Sequence, residues 1–282
     1  MENRLKSLVI RNLPVKIRKF LVQVKNYNRN IPDNAMINGY TYQVEKNKFW
    51  TQFNNGSWEP DLRLFYARHI TSTKEIIDIG GWIGPSMLTA VSLKPLKINI
   101  VEANPKIFKV LKNNCKRNHI EKIVNLQNIC LSDETGKKVK FGAMDSFLPH
   151  SAINGIGGNG FDLTTVSFID FFTEIDLSMV NIIKIDIEGG ERFLTDGLRY
   201  LSKNRDLHIF LALHPPFWPD KKKTADELLN VFQEFNIYDS KEQPLSYKKF
   251  ESLLLSDKKT QYPSKTGQFF DIILKSKSSD LR

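Results

Sequence analysis

Asp78-Ile79-Gly80-Gly81-Trp82-Ile83-Gly84 follows the apolar pair Ile76-Ile77 and leads into a helical pattern. A short strand is therefore predicted to end near a carboxylate, with a glycine-rich turn joining it to a helix. Glycine suits such a turn because the backbone bends tightly and because a ligand approaches where a side chain would collide. The N–H groups of the turn and the positive end of the helix favour a ligand carboxylate or phosphate. The stretch predicts a ligand-binding loop of an α/β sheet.

A second apolar strand, predicted at residues 97–102, ends in Glu102, 24 residues after Asp78. In a doubly wound sheet, an acid near that spacing lies at the tip of the second strand and accepts hydrogen bonds from both ribose hydroxyls of a nucleoside. The glycines do not form the G-x-G-x-x-G of dinucleotide enzymes, and no G-x-x-x-x-G-K-[ST] phosphate loop is present. The sequence therefore predicts a nucleoside pocket and leaves the nucleoside open.

Strand and helix patterns alternate along the chain, which favours a parallel α/β sheet. Strands are predicted at residues 75–80, 97–102, 123–130, 181–187 and 207–213, and the clearest helices at 106–118 and 191–202. The apolar segments 236–238 and 269–274 would complete a seven-stranded sheet. Residues 1–70, with a strand at 40–44 and a second strand or turn at 48–54, are predicted to form a cap of helix and β-structure ahead of a core domain at 71–282.

Several motifs in fixed order resemble one enzyme family. Asp78-x-Gly80-x-x-x-Gly84, followed by Val101-Glu102-Ala103-Asn104-Pro105, resembles the S-adenosylmethionine-binding motifs of class I methyltransferases. Ile183-Lys184-Ile185-Asp186-Ile187-Glu188-Gly189-Gly190-Glu191 resembles the characteristic block of the FkbM family of methyltransferases. Further blocks that fit are Trp58-Glu59-Pro60, Asn128 with Leu131-Ser132-Asp133, Thr165 to Asp170, and Ala212-Leu213-His214-Pro215. The resemblance spans residues 56–274 and implies a doubly wound, mostly parallel, Rossmann-like sheet of seven strands, the last one antiparallel, that binds S-adenosyl-L-methionine.

The resemblance also implies which residues bind the cofactor: Glu59, Asp78, Gly80, Gly81, Trp82, Gly84, Glu102, Ala103, Asn104, Ser132, Asp133 and Asp186. Glu102 is expected to hold the ribose, and Glu59 to accept a hydrogen bond from the methionine ammonium. Asn104 either contacts the adenosine edge or caps the following helix. Ser132 and Asp133 either bind adenine or form a polar turn.

This sequence departs from the family pattern at two positions. Gly81-Trp82 stands where relatives usually have Ala-Asn, which places a bulky indole in the cofactor loop. Leu213 stands just before His214, near where many relatives carry a glutamate.

The candidate catalytic residues are Asp186, Glu188 and His214. The two acids are two residues apart on a strand, so both side chains leave the same face, and paired carboxylates tend to split their pKa values and leave one as a base. His214 is predicted at the tip of the next strand, and Glu191 is either a further member or an acid of a helix's first turn. The ligand spacing is not that of a known metal motif, so no metal is expected.

Composition limits the class of protein. The chain has 282 residues, a formal net charge of +10 and two cysteines, Cys115 and Cys130, which supply neither a disulfide framework nor zinc spacing. No apolar stretch approaches the roughly 18 residues of a spanning helix, and the N-terminus lacks the layout of a signal peptide. A cytoplasmic protein with an anion-attracting surface is expected.

Residues 1–30 carry eight basic residues and one acidic residue, interleaved with apolar ones at helical spacing. One interpretation is a basic amphipathic element that contacts a partner or the inner membrane face peripherally. The other is a leading helix packed on the core or across a homodimer. The glycine-rich stretch 155–160 is either a loop over the active site or an ordinary surface loop.

The sequence therefore predicts a methyltransferase that uses S-adenosylmethionine to methylate a hydroxyl of a saccharide, glycan or related natural product. A nucleic-acid methyltransferase is the main alternative, which the charge allows. It is disfavoured because there is no Asn-Pro-Pro-aromatic tetrad and no RNA-binding appendage. A cofactor-binding module without catalysis, acting through its basic N-terminus, is the third interpretation.

Overall fold

A computed structural model describes residues 31–142, 152–153, 160–204, 206–260 and 266–277. The predicted N-terminal basic helix and most of the glycine-rich stretch at 155–160 lie outside these residues. Within the described part of the chain, no helix combines the length and apolar character needed to cross a membrane.

The central element is a seven-stranded sheet. Its strands are β3 (Glu75–Ile79), β4 (Lys97–Val101), β5 (Val124–Gln127), β10 (Val180–Ile185), β11 (His208–Leu213), β12 (Phe235–Asp239) and β13 (Phe270–Ser276). They lie in the order β12-β13-β11-β10-β3-β4-β5, and β13 is antiparallel to both of its neighbours. The doubly wound, mostly parallel, seven-stranded fold is thus confirmed, including the antiparallel last strand.

The remaining strands form two smaller sheets. β1 (Asn34–Ile37) and β2 (Tyr40–Gln43) make a hairpin. β6 (Cys130–Ser132), β7 (Lys138–Gly142), β8 (Ala152–Ile153) and β9 (Phe161–Ser167) make a four-stranded sheet in the order β6-β9-β7-β8.

Helices cover both faces of the central sheet. They are α1 (Phe49–Asn54), α2 (Pro60–His69), α3 (Pro85–Ser92), α4 (Pro105–Arg117), α5 (Phe168–Thr173), α6 (Thr195–Leu201), α7 (Lys221–Phe232) and α8 (Tyr247–Leu254). Short 3-10 turns occur at Leu177–Met179, Gly190–Phe193 and Pro215–Phe217.

Alternation along the strands builds two cores. Ile76 packs on the face covered by the hairpin and α1 to α4, whereas Ile77 packs on the face covered by α5 to α8. Ile182 and Ile183 divide in the same way. Because successive side chains of a strand point to opposite faces, an apolar pair buries one residue in each core.

Three local predictions were wrong or too long. Residues 48–54, predicted as a strand or turn, form helix α1, because Trp50 and Phe53 are fully buried at helical spacing. The strand predicted at 123–130 ends at Gln127, and the chain then enters the four-stranded sheet. The helix predicted at 191–202 is divided into a 3-10 turn and α6.

Candidate cofactor and catalytic site

A cavity of about 320 Å³ opens at the carboxyl ends of β3, β4 and β10, a size typical of a small-molecule site. The strand order reverses between β3 and β10, which is where doubly wound sheets bind ligands. The predicted site residues that line it are Glu59, Gly80, Gly81, Trp82, Glu102, Ala103, Asp186 and Glu188. Asp78, Gly84, Asn104, Ser132 and Asp133 are not among its lining residues, and His214 reaches it through the two acids.

The glycine loop is held by the neighbouring strand. The N–H groups of Gly80 and Gly81 donate to the carbonyl of Val101 at 2.9 and 3.1 Å, and that of Trp82 donates to Glu102 at 2.9 Å. These three donors are therefore used within the protein. The expectation that they receive a ligand anion is wrong, since the tight strand-to-helix turn leaves them facing β4.

Close packing explains the loop's glycines. Gly80 has a φ of +87°, and a Cβ there would lie 1.8 Å from the carbonyl oxygen of Asp186. A Cβ on Gly81 would lie 2.3 Å from the side chain of Ile100. Both distances are far below contact, so any side chain would push β10 or β4 away.

Glu102 is fixed at the cavity wall. Its two carboxylate oxygens accept from the backbone N–H groups of Asn104 at 2.8 Å and Trp82 at 2.9 Å. Burial raises the pKa of Glu102 to about 7, against the effect of those two donors. A carboxylate held in this way presents acceptors to neighbouring ligand hydroxyls, which fits the predicted ribose contact.

Lys184, to which the sequence analysis gave no role, lies beneath the loop. It is 3% exposed, donates to the carbonyl of Gly80 at 2.9 Å, and lies 3.3 Å from Asp78 and 3.5 Å from Asp186. Burial opposes its charge, but the carboxylates of Asp78 and Asp186 raise the pKa of Lys184 above its usual value. Ser86 also donates to Asp78. Asp78 therefore supports the site from below, without lining the cavity as predicted.

Glu59 marks the end of the cavity near Asp186. It precedes α2 with a left-handed φ of +39°, a conformation that costs a non-glycine residue free energy. Burial, followed by the nearby carboxylate of Asp186, raises the pKa of Glu59 to about 8. A cationic ligand group would relieve this crowding of acids, so the residues fit an ammonium.

Part of the cavity lining is apolar and includes Ile129, Leu131 and Phe141. Trp82 also lines the cavity, with its ring 4.5 Å from that of Phe49 and its buried indole Nε1 without a hydrogen-bond partner. The apolar lining of Ile129, Leu131 and Phe141 fits a flat ring such as adenine. Phe141 and Phe49 were not predicted, because isolated aromatics in short elements resemble ordinary core residues.

Three predicted positions do not line the cavity. The Asn104 side chain accepts from the N–H groups of Lys106 at 3.0 Å and Ile107 at 3.3 Å, so it caps α4 as the second interpretation holds. Ser132 is the buried last residue of β6 and donates to Asp133, which begins the bend after that strand, at 2.8 Å.

The three candidate catalytic residues lie together. Nε2 of His214 is 3.7 Å from Oδ1 of Asp186 and 3.7 Å from Oε2 of Glu188. Burial opposes charge on the ring, but the carboxylates of Glu191, Glu188 and Asp186 outweigh it and raise the pKa of His214 to about 10. The metal-free histidine is therefore a cation between acids.

A buried carboxylate positions that histidine. Glu191 is fully buried, and its Oε1 accepts from Nδ1 of His214 at 2.8 Å and from the N–H of Gly189 at 3.1 Å. Its Oε2 accepts from the indole of Trp218 at 2.8 Å. Of the two interpretations of Glu191, membership of the cluster is the one that the geometry supports. Trp218 was missed, because nothing in its local sequence links it to an acid 27 residues earlier.

Comparisons with known proteins give a clear domain match. The model of the FkbM methyltransferase domain matches residues 78–236, which is more than half of the chain. The curated proteins contain no sequence match.

Solved structures with similar folds share little sequence. The precorrin-6y C5,15-methyltransferase from Geobacter metallireducens is 13% identical with a TM-score of 0.39, over 76% of this chain and 87% of that one. SMU.1697c from Streptococcus mutans, solved in complex with S-adenosylhomocysteine, is 9% identical with a TM-score of 0.43, over 76% and 94%. An rRNA methylase from Streptococcus thermophilus is 8% identical with a TM-score of 0.42, over 76% and 93%.

Proposed function

We propose that this chain, which belongs to the FkbM family of methyltransferases, methylates a hydroxyl oxygen of a saccharide, glycan or related natural product. Family membership establishes methyl transfer from S-adenosylmethionine, whereas the oxygen acceptor and its class are our proposal. The observation that carries it is the cluster of Asp186, Glu188 and His214 beside the cofactor cavity. Such a cluster suits a hydroxyl, which must lose a proton as it is methylated.

Different cavity residues would bind different parts of the cofactor. Glu102 would accept from the ribose hydroxyls, Glu59 from the ammonium, and the apolar lining that includes Phe141 would hold adenine. When bound, the cofactor supplies an electrophilic methyl group on a sulfonium. The chain's main task is then to hold the acceptor oxygen about 3 to 3.5 Å from that carbon, in line with the breaking bond.

A carboxylate is the better base. A protonated His214 cannot accept a proton, so the base is Asp186 or Glu188. Asp186 lies 3.5 Å from Lys184, which also contacts Asp78 at 3.3 Å. Glu188 lines the cavity and lies 3.7 Å from the protonated histidine, and we prefer it as the group that takes the hydroxyl proton.

The net charge of +10 supports an acidic or phosphate-linked saccharide, because such a surface attracts anions. The same charge would attract RNA, so the acceptor test must include both. We expect label from the methyl group of S-adenosylmethionine to appear in a carbohydrate fraction as a methyl ether. Recovery of the label in RNA nucleosides, with none in carbohydrate, would contradict the proposal.

The cofactor contact can be tested before the acceptor is known. We expect calorimetric titration with S-adenosylmethionine or S-adenosylhomocysteine to show binding that Glu102→Ala weakens tenfold or more, about 1.4 kcal/mol. Glu121→Ala, at an exposed acid away from the cavity, is the matched control and should leave the affinity unchanged. Absence of binding by the folded wild type would overturn the assignment of the cavity.

A further inference from the structure

We propose that Asp186, Glu188 and His214 bind a divalent metal ion, for which Mn²⁺ is the best fit. One carboxylate oxygen from each acid and Nε2 of the histidine lie within 4.8 Å of one another. Ligands on opposite sides of an ion of this size lie about 4 Å apart. The three groups therefore surround a volume that a cation fills after small side-chain adjustments. This departs from the absence of metal that the sequence predicts.

The histidine is oriented as a metal ligand. His214 is 7% exposed, and its Nδ1 donates to the buried carboxylate of Glu191 at 2.8 Å. Histidines that bind metals commonly donate their second ring N–H to a carboxylate in this way, which fixes the ring and its tautomer. Trp218 and the N–H of Gly189 hold Glu191 in turn. The hydrogen bond at Nδ1 therefore fixes the orientation of the imidazole ring.

The other ring nitrogen faces the acids. Nε2 lies 3.7 Å from both Asp186 and Glu188, which is beyond hydrogen-bond distance from either. A metal ion between these groups would replace the proton on Nε2, because an imidazole nitrogen binds metal in its deprotonated form and the proton is released to solvent. A metal–ligand distance of about 2.1 Å from each group matches that separation.

The charged groups around the three ligands, and their position at the cavity, also support a bound metal ion. Lys184 lies 3.3 Å from Asp78 and 3.5 Å from Asp186. The carboxylates of Glu188 and Glu191 face the histidine at 3.7 and 2.8 Å. Two carboxylates with one imidazole suit Mn²⁺ better than the softer metals or the all-oxygen preference of Mg²⁺. Three protein ligands also leave coordination positions open, on the side where the two acids line the cavity.

The ion would bind the acceptor, and this step rests on the proposed function. The acceptor hydroxyl coordinates the cation through oxygen, which lowers the pKa of the hydroxyl. Its proton passes to the oxygen of Glu188 that does not bind the ion. The new C–O bond forms as the C–S bond breaks, and that electron pair stays on sulfur, giving S-adenosylhomocysteine.

The test measures the metal alone. The full-length protein, freed of metal with a chelator and then desalted, is titrated with Mn²⁺ while the electron paramagnetic resonance of free Mn²⁺ is followed. We expect one bound Mn²⁺ per chain, with affinity reduced tenfold or more in Glu188→Gln and in His214→Gln. Asp162→Asn, at an exposed acid paired with Lys140, should bind Mn²⁺ as the wild type does. No binding at millimolar Mn²⁺, or unchanged affinity in either cluster variant, would overturn the inference.

A second measurement needs no variant. With S-adenosylhomocysteine and Mn²⁺ both bound to the wild type, the ion should relax the protons beside the sulfur more strongly than those of adenine. Equal relaxation would place the ion elsewhere and refute the site. Binding of S-adenosylhomocysteine in excess chelator separates the two proposals. If it binds there and Mn²⁺ does not, only the metal inference fails. If neither ligand binds, the proposed function fails as well.

Discussion

The two ends of the site are built differently. At the cofactor end, the carboxylate of Glu102 is held by two backbone donors, and the N–H groups of Gly80, Gly81 and Trp82 are paired with β4 or its acid. At the acceptor end, Nε2 of His214 lies 3.7 Å from a carboxylate oxygen of Asp186 and from one of Glu188. The first end is held by hydrogen bonds before a ligand arrives. The second is held by the attraction between a protonated histidine and its acids.

The largest effect should come from breaking the cofactor end. In Gly80→Ala the new Cβ meets the carbonyl oxygen of Asp186 at 1.8 Å, a backbone atom that cannot move without shifting β10. We expect a loss of at least about 4 kcal/mol in the free energy of unfolding, measured by urea denaturation. Gly136→Ala is the control, since Gly136 has a similar φ of +84° and open space around it. It should cost only about 1 kcal/mol. Equal losses would show that backbone strain alone explains both.

Removing the lysine beneath the loop should have the next largest effect. Lys184→Met leaves the buried carboxylate of Asp78, which is 1% exposed, without its cation. We expect a loss of about 3 kcal/mol in the free energy of unfolding, because an unpaired buried charge is costly. In Lys140→Met the lost partner is the exposed Asp162, and the change should stay within about 0.5 kcal/mol. Similar values for the two variants would mean that Asp78 is protonated.

The acceptor end should show a characteristic pH dependence without metal. The pKa of His214 is about 10 in the folded chain, above its unfolded value of about 6.5. The charged ring therefore contributes its full stability below pH 6.5, and loses it as the pH rises toward 10. Between pH 7 and pH 9, the wild type should lose about 2.5 kcal/mol more unfolding free energy than His214→Asn. Urea denaturation in chelator checks this, and parallel pH profiles would contradict it.

The smallest effect is expected from substituting a residue that does not line the cavity. Asp133, predicted to bind adenine, is half-exposed and does not line the cavity. Asp133→Ala should change the calorimetric affinity for S-adenosylhomocysteine less than twofold, about 0.4 kcal/mol, whereas Glu102→Ala weakens it tenfold or more. A large loss at Asp133 would mean that the four-stranded sheet moves onto the ligand.

The sequence predicted structure best at positions where a residue type serves one local physical purpose. Apolar strand runs, the Asp78 to Gly84 turn and the acid at position 102 predicted the sheet and the place of the cavity. The Asp186-x-Glu188 spacing predicted two acids on one face of a strand; β10 in fact ends at Ile185, and the two acids meet in the turn that follows it. Each of these features depends on neighbours within a few residues, so it survives without tertiary information.

The remaining features depend on contacts between distant segments. Nothing near Lys184 shows that it lies under Gly80, 104 residues away. Helix α1 was mistaken for a strand or turn because six residues rich in aromatics satisfy either pattern, and the core decides. The loop donors were assigned to a ligand because the sequence cannot show that Val101 already accepts from them.

The hydrogen bond from Lys184 to the carbonyl of Gly80 also bears on when the cofactor site forms during folding. It joins parallel strands that are far apart in the chain, and such pairings form late because a long loop must close first. A folding intermediate that contains only β3, β4 and β5 would have the glycine turn and Glu102, yet neither the lysine nor the acids of β10. The cofactor therefore binds only the fully folded chain. By mass action, this binding should protect newly made chains from unfolding and proteolysis.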